Sequence, residues 1–213
     1  MNIIIPEKNL LHRTNDVDYY DWNYKFPIKY VQLYRFKAII KLLGDKKYTN
    51  LLEIGTGSGI FLPELARHSK KLFACDIHPH MDKIQNLLHH HRIKNYEIKS
   101  QSIENTDYPD NFFDVIVGVS VLEFVNDLNA TIFEIKRILK NDGFFVTICP
   151  MQNKILDFIV SLYANKTPDD EFGDSRKYVS KELEKNFIVD KKGYMLPLFG
   201  KHFPVYTHYK LRK

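Results

Sequence analysis

The chain has 213 residues, with 31 Lys and Arg against 26 Asp and Glu and a formal net charge of +5. That length suits one α/β domain with appended segments and a core that needs no staples. Two cysteines exclude a disulfide scaffold, no run approaches the ~20 apolar residues of a membrane span, and the opening Met1–Pro6 lacks the basic and long apolar regions of a signal peptide.

The first 45 residues are crowded with aromatics: Tyr19, Tyr20, Trp22, Tyr24, Phe26, Tyr30, Tyr34 and Phe36. An open patch of that size would be an association liability. Two roles fit: a cover over a ligand mouth, or a helix packed on the outer face of a sheet.

Asn50–Ile54 reads as a buried strand, and Gly55, Gly57 and Gly59 follow at every second position. Gly holds positive φ and lets a ligand approach the backbone, and the amides at the next helix N-terminus face that ligand. The dinucleotide fingerprint needs its third Gly at position 60, where Ile60 stands, and Ile60-Phe61 replace the Lys-Ser or Lys-Thr of a phosphate-binding loop. The loop is therefore tighter than the nicotinamide version and has no phosphate-gripping lysine. A plain strand–helix connection is the alternative.

A helix over 60–68 and a strand over Leu72–Cys75 come next, and the strand ends at Asp76. A carboxylate there can accept from both hydroxyls of a ribose; it can also cap the helix expected from Met81 to His91. His78 and His80 flank Pro79, as ligand contacts or as a simple turn. His89-His90-His91 point about 100° apart and cannot converge on one ion, so no metal is expected, and they read as a helix end near the negative dipole.

Tyr96–Lys99 is a short strand. Phe113–Val119 is an unbroken apolar run, as in a central strand buried on both faces. Leu128–Leu139 places Leu128, Ile132, Ile135 and Leu139 on one helical face, and Gly143–Cys149 is a fifth strand. The alternation of strand and helix predicts a parallel sheet covered on both faces. Cys75 and Cys149, at strand ends in apolar context, read as buried thiols of a cytoplasmic protein rather than a disulfide or a nucleophile.

Past Pro150, 153–163 can form an amphipathic helix and 164–177 reads as a polar loop. Ser180 reads as the N-cap of a short helix over 181–185, with Glu184 completing a capping box. Ile188–Met195 and Val205–Leu211 read as an antiparallel pair at the sheet edge.

Leu51–Phe61, Phe73–Ile77, Phe112–Val125 and the Lys140–Val146 turn fall in an order and spacing that resemble the class I S-adenosylmethionine-dependent methyltransferases, with the small-molecule, ubiquinone-type branch closest. The resemblance covers about residues 45–150 strongly. It implies a Rossmann-like seven-stranded, mostly parallel sheet in the order 3-2-1-4-5-7-6 with helices on both faces. It also implies an N-terminal lid within residues 1–45, a methyltransferase domain over 46–213, and a substrate-side insertion over 151–177. It implies a cofactor site made by Glu53, Gly55, Thr56, Gly57, Gly59, Asp76, Ile77, Ser102, Ile103, Val119 and Ser120.

Two departures stand out. Ser102 takes the place of the usual acidic contact to adenine, which removes a charge-assisted bond, and Glu104 is a candidate substitute. Phe124 stands where the branch often has His, which removes one base and makes the acceptor pocket more apolar.

The methyl of a sulfonium is already activated, so alignment and exclusion of water carry much of the rate, and a base matters only for an acceptor that is protonated. Glu123, His202 and His208 are the titratable candidates near the acceptor side. Tyr19, Tyr20, Trp22, Tyr24 and Tyr206 are the candidate acceptor contacts. A small-molecule acceptor is favoured over RNA or protein, because the lysines are spread along the chain with no arginine cluster or zinc-knuckle spacing. A module that binds the cofactor without catalysis is a third reading.

Overall fold

The computed structural model describes residues 2–15, 18–151, 175–195 and 205–213. A helix, α1 (Ile28–Leu43), precedes β1 (Tyr48–Ile54), α2 (Leu62–Arg67), β2 (Ser69–Asp76), α3 (Met81–His90), β3 (Tyr96–Ser100), β4 (Phe113–Val119), α4 (Leu128–Ile138), β5 (Leu139–Pro150), α5 (Ser175–Asn186), β6 (Ile188–Met195) and β7 (Tyr206–Arg212). The seven strands form one sheet in the order β3-β2-β1-β4-β5-β7-β6. β1 to β5 run parallel, and β7 lies antiparallel between β5 and β6.

Alternation along the strands divides the core in two. Leu51, Leu72, Val115, Val117 and Val146 face one side, where α1, α2 and α3 bury Ile39, Leu62, Leu65 and Ile84. Leu52, Phe73, Ile116 and Phe145 face the other, against Ile132 and Ile135 of α4 and Val179 and Leu183 of α5. β1 and β4 are buried on both faces, which is why they read as continuous apolar runs. α1 contributes Ile28, Phe36, Ile39, Ile40 and Leu43 to the first core, so it is built into the sheet domain.

Several expected bounds shift. α2 begins at Leu62 because tight turns, Gly59 N to Thr56 O and Leu62 N to Gly59 O, occupy the residues before it. β5 begins at Leu139, directly after α4, where Leu139 pairs with Phe113 before the register shifts. α4 starts as its sequence suggests: Asp127 accepts from Asn129 N and Ala130 N at 2.9 and 3.0 Å.

The expected N-cap at Ser180 is wrong. α5 starts five residues earlier, so 175–177 are helical rather than loop, and Ser180 lies inside the helix. Glu184, the proposed capping partner, instead bonds Lys192 Nζ at 2.9 Å and Tyr209 Oη at 2.8 Å. Burial of Val179 and Leu183 against β5 and β7 decides that helix, and local capping chemistry does not. The expected helix over 153–163 and most of the 151–177 insertion lie outside the described residues. No described helix is long and apolar enough to cross a membrane.

Candidate functional site

The glycine loop joins β1 to α2 at the carboxyl end of the sheet. Gly55, Gly57 and Gly59 all have positive φ, at 65°, 52° and 77°. A Cβ on Gly55 would sit 2.1 Å from Val121 Cγ2, and one on Gly57 would face the Asp18 carboxyl group at 3.7 Å. Gly55 is thus required by packing as well as by φ, whereas Gly57 is held to glycine mainly by φ.

Asp76, the last residue of β2, accepts from Gly57 N at 2.8 Å and from His78 N at 3.4 Å. It does not cap α3, whose N-cap is His80 with no side-chain bond. The His78 ring reaches Gly57 O at 2.9 Å through Nε2 and accepts from His80 N at 3.1 Å through Nδ1, which makes Nε2 the protonated nitrogen.

A cavity of about 260 Å³ opens over the carboxyl ends of β1, β2, β4 and β5. Parallel α/β sheets bind ligands at this place. Glu53, Gly55, Thr56, Gly57, Asp76, Ile77, Ser102, Ile103, Val119 and Ser120 all line it. Gly59 does not; its φ shapes the turn into α2. Ser120 has φ +52°, an uncommon conformation for a side-chain-bearing residue, fixed by Ser120 N donating to Ile148 O at 2.9 Å.

Glu53 is buried, Oε2 has no partner among the described residues, and burial followed by the charge of Asp76 pushes its carboxyl well above the usual range. Thr56 Oγ1, Ser58 Oγ and Gln101 Nε2 are also buried without partners among the described residues, and all three residues line the cavity. Four orphaned polar groups around one cavity mark places for ligand atoms. They fit a molecule with an ammonium, a ribose and a purine: Glu53 is placed to receive a cation, and Gln101 Nε2 is a donor beside Ser102.

Glu104 is turned elsewhere. Its Oε1 accepts from Asn126 N at 2.6 Å and Asp127 N at 3.1 Å, so it braces the loop before α4 and is no free substitute for the missing acid at Ser102.

The N-terminal segment roofs the cavity. Tyr19, Tyr20, Trp22 and Asp18 line it, as does Tyr206 from β7. Tyr19 stacks on Trp22 at 4.5 Å, and Trp22 is buried in the first core. Cover and packing are therefore the same aromatics. Asp18 accepts from Thr14 N and Oγ1 and from Tyr20 N, and burial pushes its carboxyl upward.

Tyr24 is not in the cavity wall; its hydroxyl donates to Pro6 O and fastens the segment to itself. His208 is not in it either. It lies over Gly193 of the neighbouring strand, where a Cβ on Gly193 would meet its Nε2 at 2.3 Å, and burial lowers its pKa. Glu123 is buried next to the wall residues Val121 and Phe124, beside the Cys149 thiol. Burial raises its carboxyl to about 7. His202 lies outside the described residues. Cys75 and Cys149 are buried and free, and burial pushes both thiols up.

Sequence reasoning missed Gln32 and Arg35, which α1 presents to the cavity beside Phe36. Arg35 Nη1 donates to Gln32 Oε1 at 2.6 Å, and its guanidinium lies 5.2 Å from the Tyr206 ring. Among the described residues lining the cavity, Arg35 is the sole cation, against Asp18, Glu53, Asp76 and Glu104. No local motif marks it; only the packing of α1 brings it there. Among the described residues no cluster of His, Cys, Asp and Glu could hold a metal ion.

Residues 52–147 match a family model described as a methyltransferase domain. A demethylmenaquinone methyltransferase of Tropheryma whipplei (strain Twist) is 25% identical over 175 residues, covering 77% of this chain and 71% of that protein. Geranyl diphosphate C-methyltransferase from Streptomyces coelicolor A3(2) superposes with a TM-score of 0.69 at 12% identity, over 97% of this chain and 93% of that one. The N-methyltransferase NodS from Bradyrhizobium japonicum WM9, complexed with S-adenosylhomocysteine, gives 0.64 at 19%, over 85% and 87%. At these identities the structural likeness speaks for the fold. With the sheet order and the glycine loop on the page, residues 52–147 match a methyltransferase domain, and the fold is the one that the S-adenosylhomocysteine-bound N-methyltransferase shares.

Proposed function

We propose that the protein methylates a small, largely apolar acceptor held under the N-terminal aromatics. The carrying observation is the composition of the cavity wall. Its loop end is acidic and polar; its far side has Tyr19, Tyr20, Trp22, Phe36, Phe124 and Tyr206. An RNA or acidic-protein substrate calls for a basic mouth, and Arg35 is the sole cation among the described lining residues. The demethylmenaquinone methyltransferase of Tropheryma and the geranyl diphosphate C-methyltransferase of Streptomyces, to which the chain is similar, are named for small acceptors, which supports this reading.

In this reading Asp76 receives the ribose hydroxyls, and Ile77, 71 % exposed beside the cavity, offers an apolar surface to the adenine. Ser102, Ile103 and Gln101 meet its edge. Glu53 faces the cofactor's ammonium and Arg35 its carboxylate. Val119 and Ser120 close the floor beneath the reacting carbon. The cofactor supplies an activated methyl on a sulfonium. The protein's part is to align the acceptor behind that methyl and to exclude water, which the stacked Tyr19–Trp22 pair does from above. The segment before α1 is the lid.

The test is to incubate the protein with S-adenosylmethionine and a fractionated metabolite extract, measuring S-adenosylhomocysteine release. Turnover in an apolar small-molecule fraction is expected. Turnover confined to RNA or protein fractions would overturn the assignment. Calorimetric binding of S-adenosylhomocysteine without turnover in any fraction would point to the non-catalytic module.

A further inference from the structure

The outward face of α1 carries a surface that the methyl-transfer reading leaves unexplained. Phe26 is 75 % exposed, and Tyr30 and Tyr34 are each 51 % exposed. Tyr30 and Tyr34 stand one turn apart on the helix, and Phe26 lies in the turn just before it. Phe26 meets Tyr30 edge-on at 6.1 Å, and Lys29 Nζ lies 5.3 Å from the Tyr30 ring.

The stripe continues into charge. Lys37 and Lys41 are exposed and form no ion pair among the described residues. At about 100° per residue, Tyr30, Tyr34, Lys37 and Lys41 fall within roughly 60° of arc. α1 has four cations, Lys29, Arg35, Lys37 and Lys41, and no acid along its length. Its opposite face is committed to the core through Ile28, Ile39 and Leu43 and to the cavity wall through Gln32 and Phe36.

We infer that this face of α1, aromatic at Tyr30 and Tyr34 with Phe26 in the turn before it, and basic at Lys37 and Lys41, is a docking surface for an anionic lipid bilayer. Phe and Tyr settle at the headgroup boundary, where a ring is half buried and a hydroxyl stays wet. Lysines beside them gain from the negative potential of anionic lipid. A helix lying in the interface plane needs this division: one apolar and cationic face outward, the other in the protein. An acid-free aromatic–lysine surface complements negative headgroups, whereas a protein partner or second copy would need apolar or acidic surface to meet it. The inference stands independently of the acceptor's identity. It places the cavity wall, through Gln32 and Arg35, one helix diameter from the membrane.

The full-length protein is floated with vesicles of phosphatidylcholine alone and of phosphatidylcholine mixed with phosphatidylglycerol. Binding is expected on the anionic vesicles and weakly, or not at all, on the neutral ones, with loss at high salt. Lys37→Ala with Lys41→Ala is expected to weaken it about thirtyfold, at about fivefold per lysine. Tyr30→Ser with Tyr34→Ser is expected to weaken it at least about tenfold, because each aromatic loses its interfacial contact. Calorimetric binding of S-adenosylhomocysteine is expected to be unchanged in both pairs, which shows them folded and keeps this test separate from the cofactor site. Absence of binding to anionic vesicles, or binding that neither pair alters, would sink the proposal. So would a dimer dispersed by the tyrosine pair, which gives the face to a second copy, or RNA binding without vesicle binding, which gives it to nucleic acid.

Discussion

The Gly57 amide donates to Asp76 Oδ2 at 2.8 Å, so the middle of the glycine loop is tied to the tip of β2. One carboxylate thereby shapes the loop and still has lone pairs for a ribose. Asp76→Ala is expected to weaken S-adenosylhomocysteine binding by about 1.5–3 kcal/mol, the usual loss for bonds to a charged group. Calorimetry reads this directly. NAD binding tighter than S-adenosylhomocysteine in the wild-type protein would contradict the assignment.

Gly55 and Gly57 are expected to fail differently. Gly57→Val should leave a folded protein that no longer binds cofactor, since nothing lies within 3.7 Å of the new Cβ but the left-handed backbone is strained by about 1–2 kcal/mol. Gly55→Ala should lower stability as well, because its Cβ would lie 2.1 Å from Val121 Cγ2. Val121→Ala added to Gly55→Ala should restore part of that stability. Thermal melts of the four proteins check the order.

Cofactor binding is expected to release a proton. Burial, and then Asp76, holds the Glu53 carboxyl well above its usual range, and an ammonium beside it would favour the charged form. The calorimetric enthalpy should therefore vary with the ionisation enthalpy of the buffer. In Glu53→Gln that dependence should vanish.

Stability should fall with rising pH through the window set by Glu123. Burial holds its carboxyl at about 7, against 4.5 in the unfolded chain. Between those values the folded protein keeps a proton that the unfolded chain has lost, so the fold loses ground as pH rises. Glu123→Gln should flatten this part of the profile and be more stable above pH 7 by up to about 3 kcal/mol. Denaturant midpoints from pH 4 to 8 test it; an unchanged slope would refute the buried, protonated state.

Trp22 should matter for stability and binding together. It is buried in the first core and also lines the cavity. Trp22→Ala is expected to cost about 3–5 kcal/mol and to weaken cofactor retention. Tyr20→Ala should leave stability nearly intact and raise the KM for the acceptor.

What the sequence carried by itself was whatever is written in contiguous residues. The apolar runs of β1 and β4, the alternating strand and helix pattern, the glycines at 55, 57 and 59, and Asp76 at a strand tip pointed to the sheet and to Gly55, Gly57 and Asp76 at the cavity, and the family resemblance implied the other cofactor-side residues that line it. Each is a local signal, because burial on both faces or a positive φ constrains neighbours in the chain. The tertiary structure alone decided the rest. Arg35 and Gln32 stand at the cavity because α1 packs across β4 and β5, and no short motif encodes that crossing. Tyr24 left the cavity wall because its hydroxyl found Pro6 O, and His208 because its ring lies over Gly193 of the neighbouring strand. Ser180 lost its cap because α5 had Val179 and Leu183 to bury. Glu104 turned to the backbone of 126 and 127, which are 22 and 23 residues away in sequence. Local chemistry states what a residue offers, and packing between distant segments chooses which offer is taken up.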